Sequence, residues 1–214
     1  MENAVENQIE TPVKEPLFNI PPLTFWLALF LLVCFAVLQN DKWLENIVPV
    51  FSFIPQYFTV FPVQYSYTLL SYALLHFGWM HIATNLAGLL AFGSGVERLL
   101  GRKKFTLIFI GGIIIGALGH WALFPHGTDP LGGASAGISA LFGAVLPLIV
   151  PNRRDFIIAS IIFILTNLIV GLVGMPQQPG LAIAWQAHIF GFLFGIIFVL
   201  GLIRFKKKKI VEHL

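Results

Sequence analysis

Two short strings hold the residue types for nucleophilic catalysis: Gly132-Gly133-Ala134-Ser135-Ala136-Gly137 and Ala187-His188-Ile189-Phe190-Gly191. Each lies at or inside a stretch apolar enough to enter a bilayer, where polar groups lack water as a partner and are costly unless used. A serine hydroxyl is a weak nucleophile until a neighbouring base takes its proton, and imidazole is suited to be that base. Ser135 and His188 are therefore the candidate catalytic pair. His81 and Asn85 form a third element, four residues apart and on one helix face, with His76 just before them. Imidazole and carboxamide N–H groups can both donate to a developing oxyanion, a large catalytic effect. Plainer roles exist for each: a helix N-cap for Ser135, an interhelical hydrogen bond for His188, a bundle tether for His81 and Asn85.

The acids inform by absence. Within the apolar spans the one carboxylate is Glu97; Asp129 precedes Ser135 in a loop and Asp155 is on the other side. Nothing acidic is placed to orient His188, so the residues permit a Ser-His dyad rather than a Ser-His-Asp triad. No His-Glu-x-x-His helix is present, and a metal site built from His76, His81, His120, His126 and His188 has little support. Neither metal nor cofactor is expected.

The elements that must position these groups are membrane helices. Of 214 residues, 57% are hydrophobic and 11% charged, with a mean hydropathy of +0.84, against about 25% charged in soluble domains. Six segments approach the roughly 20 apolar residues that cross a bilayer: Leu23–Leu38, Trp79–Leu99, Phe105–Phe124, Ser135–Val150, Phe156–Val173 and Leu181–Ile203. The fourth is short, so Ser135 should start below the membrane surface. His188, seven residues into the sixth, should lie about 10 Å below that helix start. Cys34 sits alone in the first span and reads as packing.

The connection from about 40 to 78 is aromatic and interrupted by Pro49, Pro55 and Pro62. It reads as a structured insertion partly in the outer leaflet rather than a seventh span. Lys and Arg gather after the second and fourth spans (Arg98, Arg102, Lys103, Lys104; Arg153, Arg154) and in the tail (Arg204, Lys206 to Lys209). These loops belong to the cytoplasm, with both termini, in a cell (inner) membrane. Ser135 and His188 then face the extracytoplasmic side together. Residues 1–21, acidic and without a signal-peptide pattern, form a cytoplasmic tail; 22–203 form the bundle; 204–214 form a basic tail. That tail suits a topology anchor or membrane lipid, and no nucleic acid is expected. Small residues recur at helical spacing along Ala136, Ala140, Gly143 and Ala144, and along Ala184, Ala187, Gly191 and Gly195. Such faces let membrane helices approach closely, so the fourth and sixth spans should pack together. A small transporter is disfavoured because no acidic residue lies deep in the spans and no internal repeat is evident.

At this point the residues resemble the rhomboid intramembrane serine proteases in their minimal six-helix bacterial form, from about Trp26 to the tail. The carrying motifs are His76-Phe77-Gly78-Trp79-Met80-His81 with Asn85, Val96-Glu97-Arg98-Leu99-Leu100-Gly101, Gly133-Ala134-Ser135, and Ala187-His188 with Gly191 and Gly195. The resemblance implies an all-α, six-transmembrane-helix bundle. It implies Ser135 as nucleophile and His188 as general base then acid. His81, Asn85 and the Ser135 N–H would stabilise the oxyanion. Substrates would be transmembrane proteins cut near the extracytoplasmic face, with a monomer sufficient. It further implies a cap over the site from Gly174 to Gly180, lateral entry gated by the fifth span, and a structural Glu97 bonding backbone near the helix-two turn. Ala136 departs from the Gly that usually follows the nucleophile, and its methyl is expected against the sixth span. A catalytically weak or inactive relative that binds transmembrane helices is the alternative.

Overall fold

The structure, a computed structural model, describes residues 19–38, 41–173 and 184–212. Among the described residues six helical traverses form one bundle. α1 (Pro22–Leu38) leads into an insertion of short helices, α2 (Asp41–Phe51), α3 (Pro55–Val60) and α4 (Thr68–Ser71) with a 3₁₀ turn at Tyr72–Leu74. The second traverse is one rod: α5 (Trp79–Gly88), a π turn at Leu89–Gly93 and α6 (Ser94–Leu100). α7 (Arg102–Leu123), α8 (Ser135–Ile149), α9 (Arg153–Val173) and α10 (Trp185–Glu212) complete it. At eleven residues α2 is the longest helix of the insertion, about 16 Å and too short to cross hydrocarbon about 30 Å thick. Pro55 opens α3 and Pro62 follows its end, where a missing amide donor is tolerated or stops the helix, whereas Pro49 lies inside α2.

Membrane residence shows in what faces outward. α7, α9 and α10 are each long and apolar enough to span alone. α9 has no buried residue, and Ile157, Ile161, Ile162, Leu165, Ile169 and Leu172 are exposed along it. Such a surface is stable only against lipid or another apolar partner. α8 is the opposite case: ten of its fifteen residues are buried. At about 22 Å it is shorter than the hydrocarbon layer, so Ser135 at its first turn starts inside the bundle.

α8 is gripped on two sides by close backbone approaches. Toward α10, a Cβ on Gly191 would stand 2.2 Å from the Ala136 carbonyl oxygen, and one on Gly195 2.0 Å from that of Ala140. Toward α7, a Cβ on Gly112 or Gly116 would stand 2.3 or 2.6 Å from the Ala140 or Ala136 methyl. The small-residue stripes thus meet as the spacing predicts, with α7 as a second partner. The Ala136 methyl is turned to Gly116 of α7, not to the sixth traverse; its carbonyl is what faces Gly191. Gly116, by lacking a side chain, leaves room for the methyl.

Helix starts differ from the apolar windows. The sixth traverse is described from Trp185, with Ala187 N–H donating to the Ala184 carbonyl (2.9 Å); the expected start at Leu181 lies outside the described residues. His188 is on the first turn of that described helix, about 4.5 Å along its axis from Trp185. The fifth starts at Arg153 because Asn152 Oδ1 accepts from the Arg154 N–H (2.9 Å). Polar capping turns carry no hydropathy signal.

Glu97 bonds backbone as the resemblance implies, and the backbone is that of α1. Its carboxylate accepts from Leu23 N–H (3.1 Å), Thr24 N–H (2.7 Å) and Thr24 Oγ1 (2.8 Å), with Arg102 Nε at 3.5 Å. It therefore caps the N-terminus of α1 across more than seventy residues, satisfying amides that no helical carbonyl can reach. Glu97→Ala leaves one buried amide (Thr24) and one part-buried amide (Leu23) without this acceptor, at about 1–3 kcal/mol for a buried one. We expect a Tm loss of roughly 5–15 °C in detergent, with Glu97→Gln intermediate; unchanged melting of Glu97→Ala contradicts the capping role.

Candidate active site

The nucleophile loop is built by the insertion. Phe53 and Leu131 pair as an isolated antiparallel bridge (3.3 and 2.9 Å), and Gly133 N–H donates to the Tyr72 carbonyl (3.0 Å). Tyr72 Oη in turn donates to the Ile113 carbonyl of α7 (2.8 Å). The loop then turns through Gly133 at φ +108°, where a Cβ would also stand 2.5 Å from His81 Nε2. Both the left-handed backbone and the imidazole require glycine here. Ser135 follows as the first residue of α8. No side chain caps that helix, so its first-turn amides remain available to a negatively charged oxygen.

Ser135 Oγ lies 2.7 Å from His188 Nε2, and His188 Nδ1 lies 2.8 Å from Asn167 Oδ1 on α9. Asn167 Nδ2 donates to the Phe163 carbonyl (2.9 Å), which settles its amide orientation. Its Oδ1 can only accept, so Nδ1 of His188 carries the proton and Nε2 is the lone pair facing the serine. His81 has the complementary tautomer. Phe77 N–H donates to its Nδ1 (3.4 Å), leaving Nε2–H toward Gly133. Asn85 donates one Nδ2–H to the His81 carbonyl (2.8 Å) and keeps a second. Ser135, His188, Asn85 and Asn167 line one cavity of about 210 Å³ between the α5 rod and α9, walled by Phe92, Phe142 and Phe163. His81, whose Nε2 lies against Gly133, is not among the residues lining it. The cap expected from Gly174 to Gly180 lies outside the described residues.

Sequence reasoning missed Asn167. It is the one carboxamide in a span whose other intramembrane polar side chains are the hydroxyls of Ser160 and Thr166, and an intramembrane carboxamide is the kind of polar residue that signals a role. His120 Nδ1 meets Gln186 Oε1 (3.1 Å) beside a separate cavity of about 190 Å³ that Asp129 also lines. Among the described residues no three His, Cys, Asp or Glu side chains converge on a metal position.

His76 stands ahead of the second span, with neither ring nitrogen bonded and its ring 5.0 Å from that of His81. Burial, and secondarily His81, push its pKa down to about 4. An unfolded histidine takes a proton near 6.5. The unfolded chain therefore binds more protons between these values, and stability is complete above about pH 6.5 and falls toward pH 4. We expect Tm to decline on acidification across that window, as unfolding free energy falls by up to about 1.4 kcal/mol per pH unit from this group. His76→Leu should flatten the decline; parallel slopes for the two proteins would exclude the contribution.

Known proteins are similar to this chain in sequence. A family model, Rhomboid domain, matches residues 63–205, so α1 and the first part of the insertion lie outside the match. Rhomboid protease GluP of Bacillus subtilis is 35% identical over 89 residues, covering 42% of this chain and 17% of that protein. The B. subtilis rhomboid protein YdcA is 31% identical over 153 residues, covering 66% of this chain and 68% of the relative. The human presenilin-associated rhomboid-like mitochondrial protein is 32% identical over 133 residues, covering 58% and 35%. The chain thus spans well under two thirds of GluP and of the mitochondrial relative.

Proposed function

This chain belongs to the rhomboid family, and on that premise we propose that it is an intramembrane serine endopeptidase acting on transmembrane protein substrates. The carrying observation is the 2.7 Å approach of Ser135 Oγ to His188 Nε2, the ring nitrogen left to accept when Nδ1 donates to Asn167 Oδ1. In the proposed reaction His188 takes the Oγ proton as the oxygen attacks the scissile carbonyl. The carbonyl π electrons move onto oxygen, giving a tetrahedral oxyanion. Ser135 N–H, His81 Nε2–H and the second Nδ2–H of Asn85 donate to it. Collapse breaks the C–N bond while His188 returns the proton to the leaving amine, and water, activated the same way, releases the acyl group.

A substrate helix would enter between α5 and α9 and be cut near the extracytoplasmic face. That orientation rests on the Lys and Arg loops, which also favour cytoplasmic termini in the cell membrane. The test is a fluorophosphonate on the purified chain together with a panel of transmembrane substrates. Labelling at Ser135 and cleavage that Ser135→Ala abolishes support the reading. No labelling, with substrates left intact by wild type and Ser135→Ala alike, favours the helix-binding alternative.

A further inference from the structure

We propose that Asn167 is a positioning residue for the Ser135–His188 pair, holding the imidazole in the tautomer and orientation that accept the serine proton; this rests on the protease reading. Among the described residues the group that meets His188 Nδ1 is a carboxamide rather than a carboxylate, with Asn167 Oδ1 at 2.8 Å. The carboxamide is itself held, since its Nδ2 is committed to the Phe163 carbonyl one turn back. An imidazole N–H inside a bundle needs an acceptor. Without one the proton can reside on either nitrogen, and the tautomer protonated at Nε2 cannot act as base. A carbonyl oxygen also stabilises the imidazolium that forms during attack, less strongly than a carboxylate does. The same assignment of roles is known for Asn behind His in cysteine proteases.

The placement adds a consequence. Ser135 and His188 stand on α8 and α10, two helices locked backbone to backbone. Asn167 stands on α9, which has no buried residue and forms one wall of the cavity. The orientation of the base therefore depends on where α9 stands.

The plainer role for this contact is a tether between α9 and α10, and kinetics separate the two. Full-length protein in liposomes is compared with Asn167→Leu, Asn167→Ala and Asn167→Asp for kcat and KM on one transmembrane substrate, fluorophosphonate labelling rate and Tm. Asn167→Leu and Asn167→Ala should lower kcat and the labelling rate about 10- to 100-fold, a fraction of what general-base catalysis supplies, with KM within about twofold. Asn167→Asp keeps an oxygen acceptor and should stay within about fivefold of wild type. Wild-type kcat in either truncation, or equal loss in all three tracking a fall in Tm, overturns the proposal. Failure of both truncations to fold assigns the contact to the fold and overturns it too. A wild-type protein that neither labels nor cleaves removes the protease reading and this one together, whereas an active wild type with unaffected truncations removes this one alone.

Discussion

Ser135→Ala and His188→Ala should each lower kcat by about 10³-fold or more, and the double variant should be no slower than either. A thousandfold loss corresponds to about 4 kcal/mol of transition-state stabilisation. Non-additivity follows because the serine is a nucleophile only while the histidine takes its proton. Removing either removes the same step, leaving the residual assistance of the oxyanion donors and substrate binding. The geometry makes the coupling direct: one hydrogen bond of 2.7 Å joins the two groups. Single-turnover cleavage in liposomes reads it without interference from product release. KM should hardly move, since neither side chain contributes to holding a helix in the membrane. Losses that multiply in the double variant would mean that the two residues act in separate steps, and the dyad would be wrong.

Gly191→Val should be nearly as damaging, by another route. Its Cβ would stand 2.2 Å from the Ala136 carbonyl oxygen, and the Ala136 carbonyl carbon would be 3.0 Å away. Overpacking usually costs about 1–3 kcal/mol because side chains move aside; here the obstacle is the backbone of α8, so the helices themselves must part. Ser135 is one residue from that contact and His188 three, so separation acts on the reacting pair. A displacement of about 1 Å costs on the order of 10²-fold in rate, and Tm should fall by several degrees. Gly201 supplies the control. A Cβ there meets nothing within 4 Å, so Gly201→Ala should leave activity intact and gain up to about 1 kcal/mol from helix propensity. Equal effects at both positions would show that helix composition, not the close approach, governs the outcome.

Much of the site was legible because its signals are local. A serine after two glycines, a histidine in an apolar run, and glycines and alanines every three or four residues are properties of short windows. The stripes even predicted which two traverses touch. What those windows hid is equally specific. The Ala136 methyl turned to α7 because a stripe says which residues are small, not which neighbour each faces. Glu97 found its partners 73 and 74 residues away, at a helix end that hydropathy does not mark. Asn167 escaped because an outer helix such as α9, apolar around its whole circumference, offers no periodicity to say which side looks inward.

The sequence by itself determined that this is an all-helical membrane protein of the rhomboid plan, and which residues could do chemistry. Apolar length, small-residue spacing and motif order are written along the chain. Only the tertiary structure decided which atoms meet. Ser135 and His188 are 53 residues apart and His188 and Asn167 21 apart, on three separate helices. Their contacts depend on the rotation and depth of each helix, set by how closely bare glycine backbones let α8 and α10 approach. That is why an amide behind the histidine could be seen only once the helices were in place.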